Sequence, residues 1–448
     1  MKKHIAISAI AFGLLASSSV NAADDFSSMF SEGKISGEVR AFYINRDDNT
    51  KADKQIATAI GGKLSFETAD FRGLSLGAGF YTTNRILKDL EANDGATLNN
   101  TLLKNDGSSY SILGEAYVQY NAKDLGSKST FKIGRQKLNT PLAGADDARM
   151  LPNLFEAYVM QNQDIADTTV VLAHVTKMAP GSFANAYDGG IVGAAAGYTA
   201  VAGNTAEYQG EFTNMGTWAV GQDTKGVSTV GAIYKKDNLK LQAWDYYAYD
   251  ILNALYLQAD VKWNCILSDK VKPFAALQYI NENDVGLAHA GKVDSDFIGA
   301  KLGAGVGGLT AYVAYSEQSE AKTGTAALES TTITPWGGMP AFTQGMVTRH
   351  MFIAGTKATK VAATYNFKEH GINLSATGYY ATFKMDDNAG AASLNNIKTK
   401  EPGFDIKYYP AEVKNLLLRV RGNFPTDFTS VGGGRDWSEY RFIASYKF

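Results

Sequence analysis

The sequence predicts an all-β fold: a transmembrane antiparallel β-barrel of about 18 strands. Three observations predict it. Apolar and polar residues alternate with period 2 through most of the chain. The connections between alternating segments are by turns short and long. The pattern runs to the last residue, where Tyr440, Phe442, Ala444, Tyr446 and Phe448 share one face and Arg441, Ile443, Ser445 and Lys447 the other.

At the N-terminus, Lys2 and Lys3 precede an apolar stretch from Ile5 to Leu15, then small residues and Val20-Asn21-Ala22. This order predicts a signal peptide over residues 1–22, with the barrel occupying 23–448 as one domain. The apolar stretch is too short to cross a hydrocarbon core of roughly 30 Å as an anchor.

Alternation is clearest over residues 34–45, 59–67, 74–81, 111–121, 129–136, 255–263, 296–304 and 415–424. In Lys63-Leu64-Ser65-Phe66-Glu67, apolar and polar residues swap at every step, which gives the strand two faces with opposite solvent preferences. Residues 68–73, 121–128, 161–167, 235–238, 263–270, 305–308, 367–371 and 409–413 form brief links. The intervening links, such as 82–109, 179–226, 317–356 and 385–401, are mostly long. Short periplasmic turns and long extracellular loops are the barrel signature, whereas packed soluble domains rarely carry long loops on only one side. The least regular stretch, 179–226, has room for further strands.

Composition agrees with this reading. Without the two leader lysines the chain has 41 basic against 45 acidic residues, an imbalance opposite to the clustered basic surface nucleic acid requires. Mean hydropathy of -0.18 is that of a soluble protein, and no later run supplies the 18 or so apolar residues of a membrane helix. A barrel hides its membrane signal because only alternate residues meet lipid. Abundant Gly (45), Tyr (24) and Phe (22) suit many strands and aromatic girdles. The one cysteine, Cys265, excludes an internal disulfide and reads as a turn residue.

Backbone groups in lipid must be paired within the protein, so the strands must close into a ring. About 18 strands enclose a lumen wider than side chains alone would fill. Such an object is expected to pass solutes.

The block from Phe131 to Leu142, with its G-R-Q-x-L-x-T-P run, continues through Asp147-Ala148-Arg149-Met150-Leu151-Pro152-Asn153-Leu154-Phe155-Glu156. This block resembles the OprD-type outer-membrane porin family of Gram-negative bacteria. The resemblance implies an 18-stranded channel, often trimeric, for passive diffusion of ions and small water-soluble nutrients. It also implies that the segment after Gln136 folds into the lumen, so that Asn139, Thr140, Asp146, Asp147 and Arg149 form a constriction. Pro141 and Pro152 stiffen that loop, and its two acids and one base bring both charge signs to the narrow point, where charged rings set selectivity. The alternative placement is an external loop with solvated charges.

The family is also described by lumen-facing basic residues along which a carboxylate passes. Inward parity here selects Arg40, Lys63, Lys132, Lys301, Arg419, Arg421 and Arg441. Inward acids Glu38, Glu67, Glu115, Asp260 and Asp405 dilute that row, which leaves anion and cation preference both open. Arg135 conflicts with its parity: it would face lipid, where a midplane charge costs roughly 2–4 kcal/mol. It is expected to lie past the apolar band, bonded to backbone or carboxylate. Expected partners are outer-membrane lipid, small solutes and ions, the barrel-assembly machinery through the strand ending at Phe448, and two further copies in a homotrimer.

No catalytic, cofactor or metal residues are expected. Gly303-Ala304-Gly305-Val306-Gly307-Gly308 satisfies G-x-G-x-x-G but joins two strands and opens no helix. His174, His289, His350 and His370 are scattered, with no ligand spacing. Asp47-Asp48 and Asp386-Asp387 read as solvated loop acids ahead of a hard-cation site. The rival functions are a cation-preferring general porin, a barrel enzyme, and a loop-based adhesin or receptor. Hydrolysis by pure protein would mark the enzyme, and conductance without substrate the channel.

Overall fold

The computed structural model describes residues 23–51, 53–87, 97–186, 208–321, 327–387, 395–428 and 434–448. The signal peptide expected over residues 1–22 lies outside them, as does 187–207 of the least regular connection. Eighteen long strands follow one another around the ring. They are β1 (Lys34–Asp48), β2 (Gln55–Glu67), β3 (Leu74–Arg85), β4 (Tyr110–Asn121), β5 (Ser129–Gln136), β6 (Leu154–Asn162), β7 (Thr168–Ala179), β8 (Val227–Lys236) and β9 (Leu239–Ala248). The second half comprises β10 (Leu252–Lys262), β11 (Val271–Asp284), β12 (Asp294–Val306), β13 (Leu309–Gln318), β14 (Lys357–Asn366), β15 (Leu374–Lys384), β16 (Lys398–Tyr408), β17 (Leu416–Asn423) and β18 (Trp437–Lys447). Each strand pairs antiparallel with its sequence neighbours.

The ring closes where β1 meets β18, from Glu38 opposite Lys447 to Asp48 opposite Trp437. Gly37 and Phe448 exchange both backbone hydrogen bonds, 3.0 and 3.1 Å, so the last residue is inside the ladder. Alternation decides what faces out. Leu64, Phe80, Ile298, Leu302, Phe442 and Tyr446 are exposed on the outer wall, while the neighbouring Tyr81, Phe297, Arg441 and Ser445 are buried inside. A bulge between Gly79 and Phe80 halfway along β3 and another at Glu156, near the loop end of β6, adjust the register of the wall.

At the opposite end the turns have local causes. Asn121 and Asn366 each accept a bond from the amide two residues on, and the turns end at Gly126 (φ 76°) and Gly371 (φ 77°), where a left-handed backbone favours glycine. Gly307 and Gly308 make a two-residue hairpin between β12 and β13, and Cys265 is a free thiol in the turn between β10 and β11. A short helix, α1 (Phe26–Ser31), is capped by Asp25 and buries Met29 against Ala69.

Two expectations need correcting. Asp48 is not a solvated loop acid: β1 extends to it, and its buried carboxylate accepts bonds from Thr50 and from Arg435, Nη2 lying 2.7 Å away. More than one long loop enters the ring. The largest buried cluster, including Phe155, Trp244, Tyr246, Phe297, Trp336 and Phe352, combines wall residues with residues of the 137–153, 180–226 and 319–356 connections.

Candidate functional site

The connection between β5 and β6, residues 137–153, folds inward and is tied down by its own polar side chains. Asn139 Oδ1 accepts from the Ala145 amide (3.1 Å), and Thr140 Oγ1 donates to the Ala143 carbonyl (2.8 Å). Asn139 and Thr140 therefore hold the turn; Thr140 is buried, which removes it from the expected constriction lining. Asn153 closes the loop, donating to the Gly144 carbonyl (3.1 Å) while its Oδ1 accepts from the Gly181 amide (2.8 Å).

Asp147 is the exposed tip. Arg40 on β1 donates to its Oδ1 (2.7 Å) and Lys137 to its Oδ2 (3.2 Å). Arg40 also donates to Glu38 (Nε, 3.0 Å) and to the Arg149 carbonyl (2.5 Å), so one guanidinium ties the loop to the wall. Although its side chain is open to the lumen, the barrel and loops around it would by themselves raise the Asp147 carboxyl, and Arg40 and Lys137 hold it well below the usual carboxylate range.

Arg149 departs from its expected role. Its side chain is fully buried, donating to Glu439 on β18 (3.1 Å) and to Thr101 (3.2 Å), with Phe183 stacked 4.7 Å away. Arg441 is likewise inward but covered, bonded through Nε to Glu439 (2.6 Å) and through Nη2 to Asn423 (2.8 Å). Glu439 is thus shared by two arginines that are covered, so neither faces a passing solute, and breaking this buried set from one side would strand a charge.

The connection between β13 and β14 supplies the second inward loop. Its backbone amides find acceptors on the wall: Glu282 on β11 takes Ile333 (2.7 Å), Gln278 takes Phe342 (2.9 Å), and Glu401 on β16 takes Thr348 (2.7 Å) and Met346. The two loops meet. Gly144 donates to the Trp336 carbonyl (2.9 Å), and Arg349 donates to Asp146 (3.0 Å). Trp336 and Trp218 extend this packing to the third connection through indole bonds to the Met215 and Pro335 carbonyls, 3.1 and 2.6 Å.

The lumen wall beside the loops carries the remaining expected bases. Lys63 on β2 faces Glu115 on β4 at 2.5 Å. Lys132 on β5 sits 3.5 Å over the Tyr117 ring, and Lys301 on β12 lies 4.2 Å from the Phe342 ring. Arg419 and Arg421 on β17 converge on Asp405 of β16, with Arg419 Nε donating at 2.7 Å and Arg421 Nε 3.7 Å away, so two half-buried bases share one acid. Lys407 joins them at 3.9 Å. Asp146 sits at the loop junction, not on the exposed tip.

Several inward bases lie beyond the expected set. Arg46 shares the parity of Arg40 and bonds Gln55 (2.8 Å), Lys407 shares that of Asp405, and Lys360 on β14 donates to the Gln344 carbonyl (2.6 Å). Arg349 has no periodicity to reveal it, being a loop residue. Outward Arg135 resolves its conflict at the loop end of β5: it donates to the Leu113 carbonyl (3.3 Å), faces Glu156 (3.8 Å) and stacks 4.5 Å from Phe212. Among the described residues, no group of histidine, cysteine or acidic side chains is arranged to hold a metal ion.

A family model described as outer membrane porin, OprD family, matches residues 28–448. Among solved structures, that of Pseudomonas aeruginosa OpdK with vanillate is 18% identical at a TM-score of 0.71, covering 94% of this chain and 99% of its own. OccK9 (OpdG) of the same organism gives the same identity, TM-score and coverage. OccK2 (OpdF) of that organism, in complex with glucuronate, is 16% identical at a TM-score of 0.68, covering 94% of this chain and 99% of its own. No curated protein matches. At such identities these structures share the barrel fold with this chain.

Proposed function

The chain belongs to the OprD family of outer-membrane porins, and from that premise we propose that it admits small carboxylate-bearing nutrients by passive diffusion along a basic wall. The observation that carries this reading is the sharing of Asp405 by Arg419 and Arg421, which leaves a net positive stretch of lumen wall. A carboxylate engages a guanidinium through two parallel bonds, so such a stretch offers successive stations and no deep well. The ligands named for the two relatives, vanillate and glucuronate, are both carboxylates and support the same class. Transport down a gradient needs no cofactor and no covalent step, which sets this reading apart from a barrel enzyme.

A second reading, preference for cations, rests on exposed Asp147 with Glu38 beside the inward loop, where Arg40 and Lys137 balance the two acids and leave no net positive charge. Reversal potential in a planar bilayer under a salt gradient separates the two, and liposome swelling with glucuronate against glucose, both too polar to cross lipid unaided, tests the carboxylate directly. Faster entry of the neutral sugar would overturn the proposal. Assembly as a homotrimer, and recognition of the strand ending at Phe448 by the barrel-assembly machinery, are further proposals; the mass of the detergent-solubilised particle tests the first and deletion of Phe448 the second.

A further inference from the structure

The outer wall carries a charge pattern that solute passage does not use. Lys357 at the start of β14 is directly opposite Lys384 at the end of β15, and Lys384 is opposite Lys398 at the start of β16. All three have the parity of exposed Val361 and Tyr380, so they point away from the lumen, and Lys400 lies one outward step below them on β16. The row stands at the extracellular rim, next to the long 319–356 and 385–397 connections. Like charges placed opposite one another on adjacent strands repel, so the row costs stability unless an anion lies against it. Glu317 answers only Lys357, at 3.4 Å. Lys384, Lys398 and Lys400 have no ion pair among the described residues, although Asp386 and Asp387 follow Lys384 in the chain.

Beneath the row the wall is dented. Val361 pairs with Tyr380 and Ala363 with Gly378, and these outward residues line one groove with Leu302 and Ala311. Counted at roughly 3.3 Å per residue, the groove begins about 13 Å and continues to about 20 Å along the strands from the lysines, within the hydrocarbon. A side chain at Gly378 would meet nothing within 4 Å, so the dent is open space.

We propose that this face is a lipid site: the lysine row holds the phosphate monoester of an outer-leaflet lipid, and the groove takes one of its acyl chains. Clustered lysines at a membrane surface recognise anionic head groups, and the apolar groove below favours a lipid over a free anion. A two-fold contact with a second copy would oppose one lysine row to another, which disfavours a dimer through this face, and the complementarity of four lysines to an anionic head group favours the lipid.

The test uses the full barrel in neutral detergent, titrated with dioleoyl phosphatidic acid, dioleoylglycerol and inorganic phosphate, with retained lipid read by native mass spectrometry. Wild type is expected to prefer phosphatidic acid by about 100-fold, and the quadruple Lys→Gln variant at 357, 384, 398 and 400 to lose that preference. Gly378→Leu fills the groove and is expected to weaken phosphatidic acid alone. Equal retention of the two lipids by wild type overturns the proposal without any variant. Competition by inorganic phosphate at lipid-like concentrations would reduce the site to a free-anion patch and overturn it too, and an unaffected Gly378→Leu would remove the acyl groove.

Discussion

Replacing Asp146 by Asn removes one charge from the junction of the two inward loops and leaves the backbone undisturbed. Asp146 has φ 37°, in the left-handed region, and Asn tolerates that region as well as Asp does, so any effect reports the side chain. Its partner Arg349 is held 3.0 Å away with only 2% of its side chain exposed, against 14% for Asp146. Breaking a buried ion pair from one side costs about 3–5 kcal/mol because the other charge stays buried. The low end applies where one partner is partly wet, and about 3 kcal/mol corresponds to a roughly 100-fold rise in the time the loops spend apart. Single-channel recording in planar bilayers should then show larger and noisier openings. Asp146→Asn combined with Arg349→Met should be quieter than Asp146→Asn alone, because the double change strands no charge. Wild-type conductance and noise in the single variant would refute the idea that this pair holds the loops together.

Asp147→Asn releases Arg40 and Lys137 from their shared acid and should move the reversal potential toward anions by more than Asp164→Asn, a change in a periplasmic turn. Because Arg40 and Lys137 hold the Asp147 carboxyl below the usual range, the stabilisation it lends is complete above its unfolded value of about 3.9 and is lost only as pH falls through its lower folded value, so the difference in reversal potential between wild type and Asp147→Asn should stay level from pH 7 to pH 4.5. Replacing both Arg419 and Arg421 with Ala leaves Asp405 uncompensated on that wall and should shift the reversal potential toward cations; an unchanged potential would take both out of the solute's path. His350 is fully buried, packed 4.4 Å from the Phe428 ring, and burial pushes its pKa down to about 3. The unfolded ring takes a proton first, so the stability from burying it neutral is complete above pH 6.5 and declines toward pH 3; His350→Phe should flatten the fall of the thermal midpoint between pH 7 and pH 4, followed by tryptophan fluorescence.

Wall positions were legible because period 2 assigns a side to every residue once one side must meet lipid. Arg40, Lys63, Lys132, Lys301, Arg419, Arg421 and Arg441 all point inward, as parity requires. Parity says nothing of what later covers a residue, which is why Arg441 is buried under Glu439 and a loop. Arg46 was harder, since clear alternation fades at Asn45, three residues before β1 ends at Asp48. The second inward loop left almost no trace, because its moorings are its own backbone amides, which look the same in every sequence. The only written hint was on the far side of those bonds: Glu282, Gln278 and Glu401, acceptors placed where the lumen wall could have been basic.

The bond between Arg149 and Glu439 joins residues 290 positions apart, and Glu439 stands on the strand that completes the circle. Until that final segment docks beside the first, this bond cannot form. The 137–153 loop therefore gains this one mooring only with closure of the seam, so the last strand acts as a clasp for the interior as well as a stave of the wall.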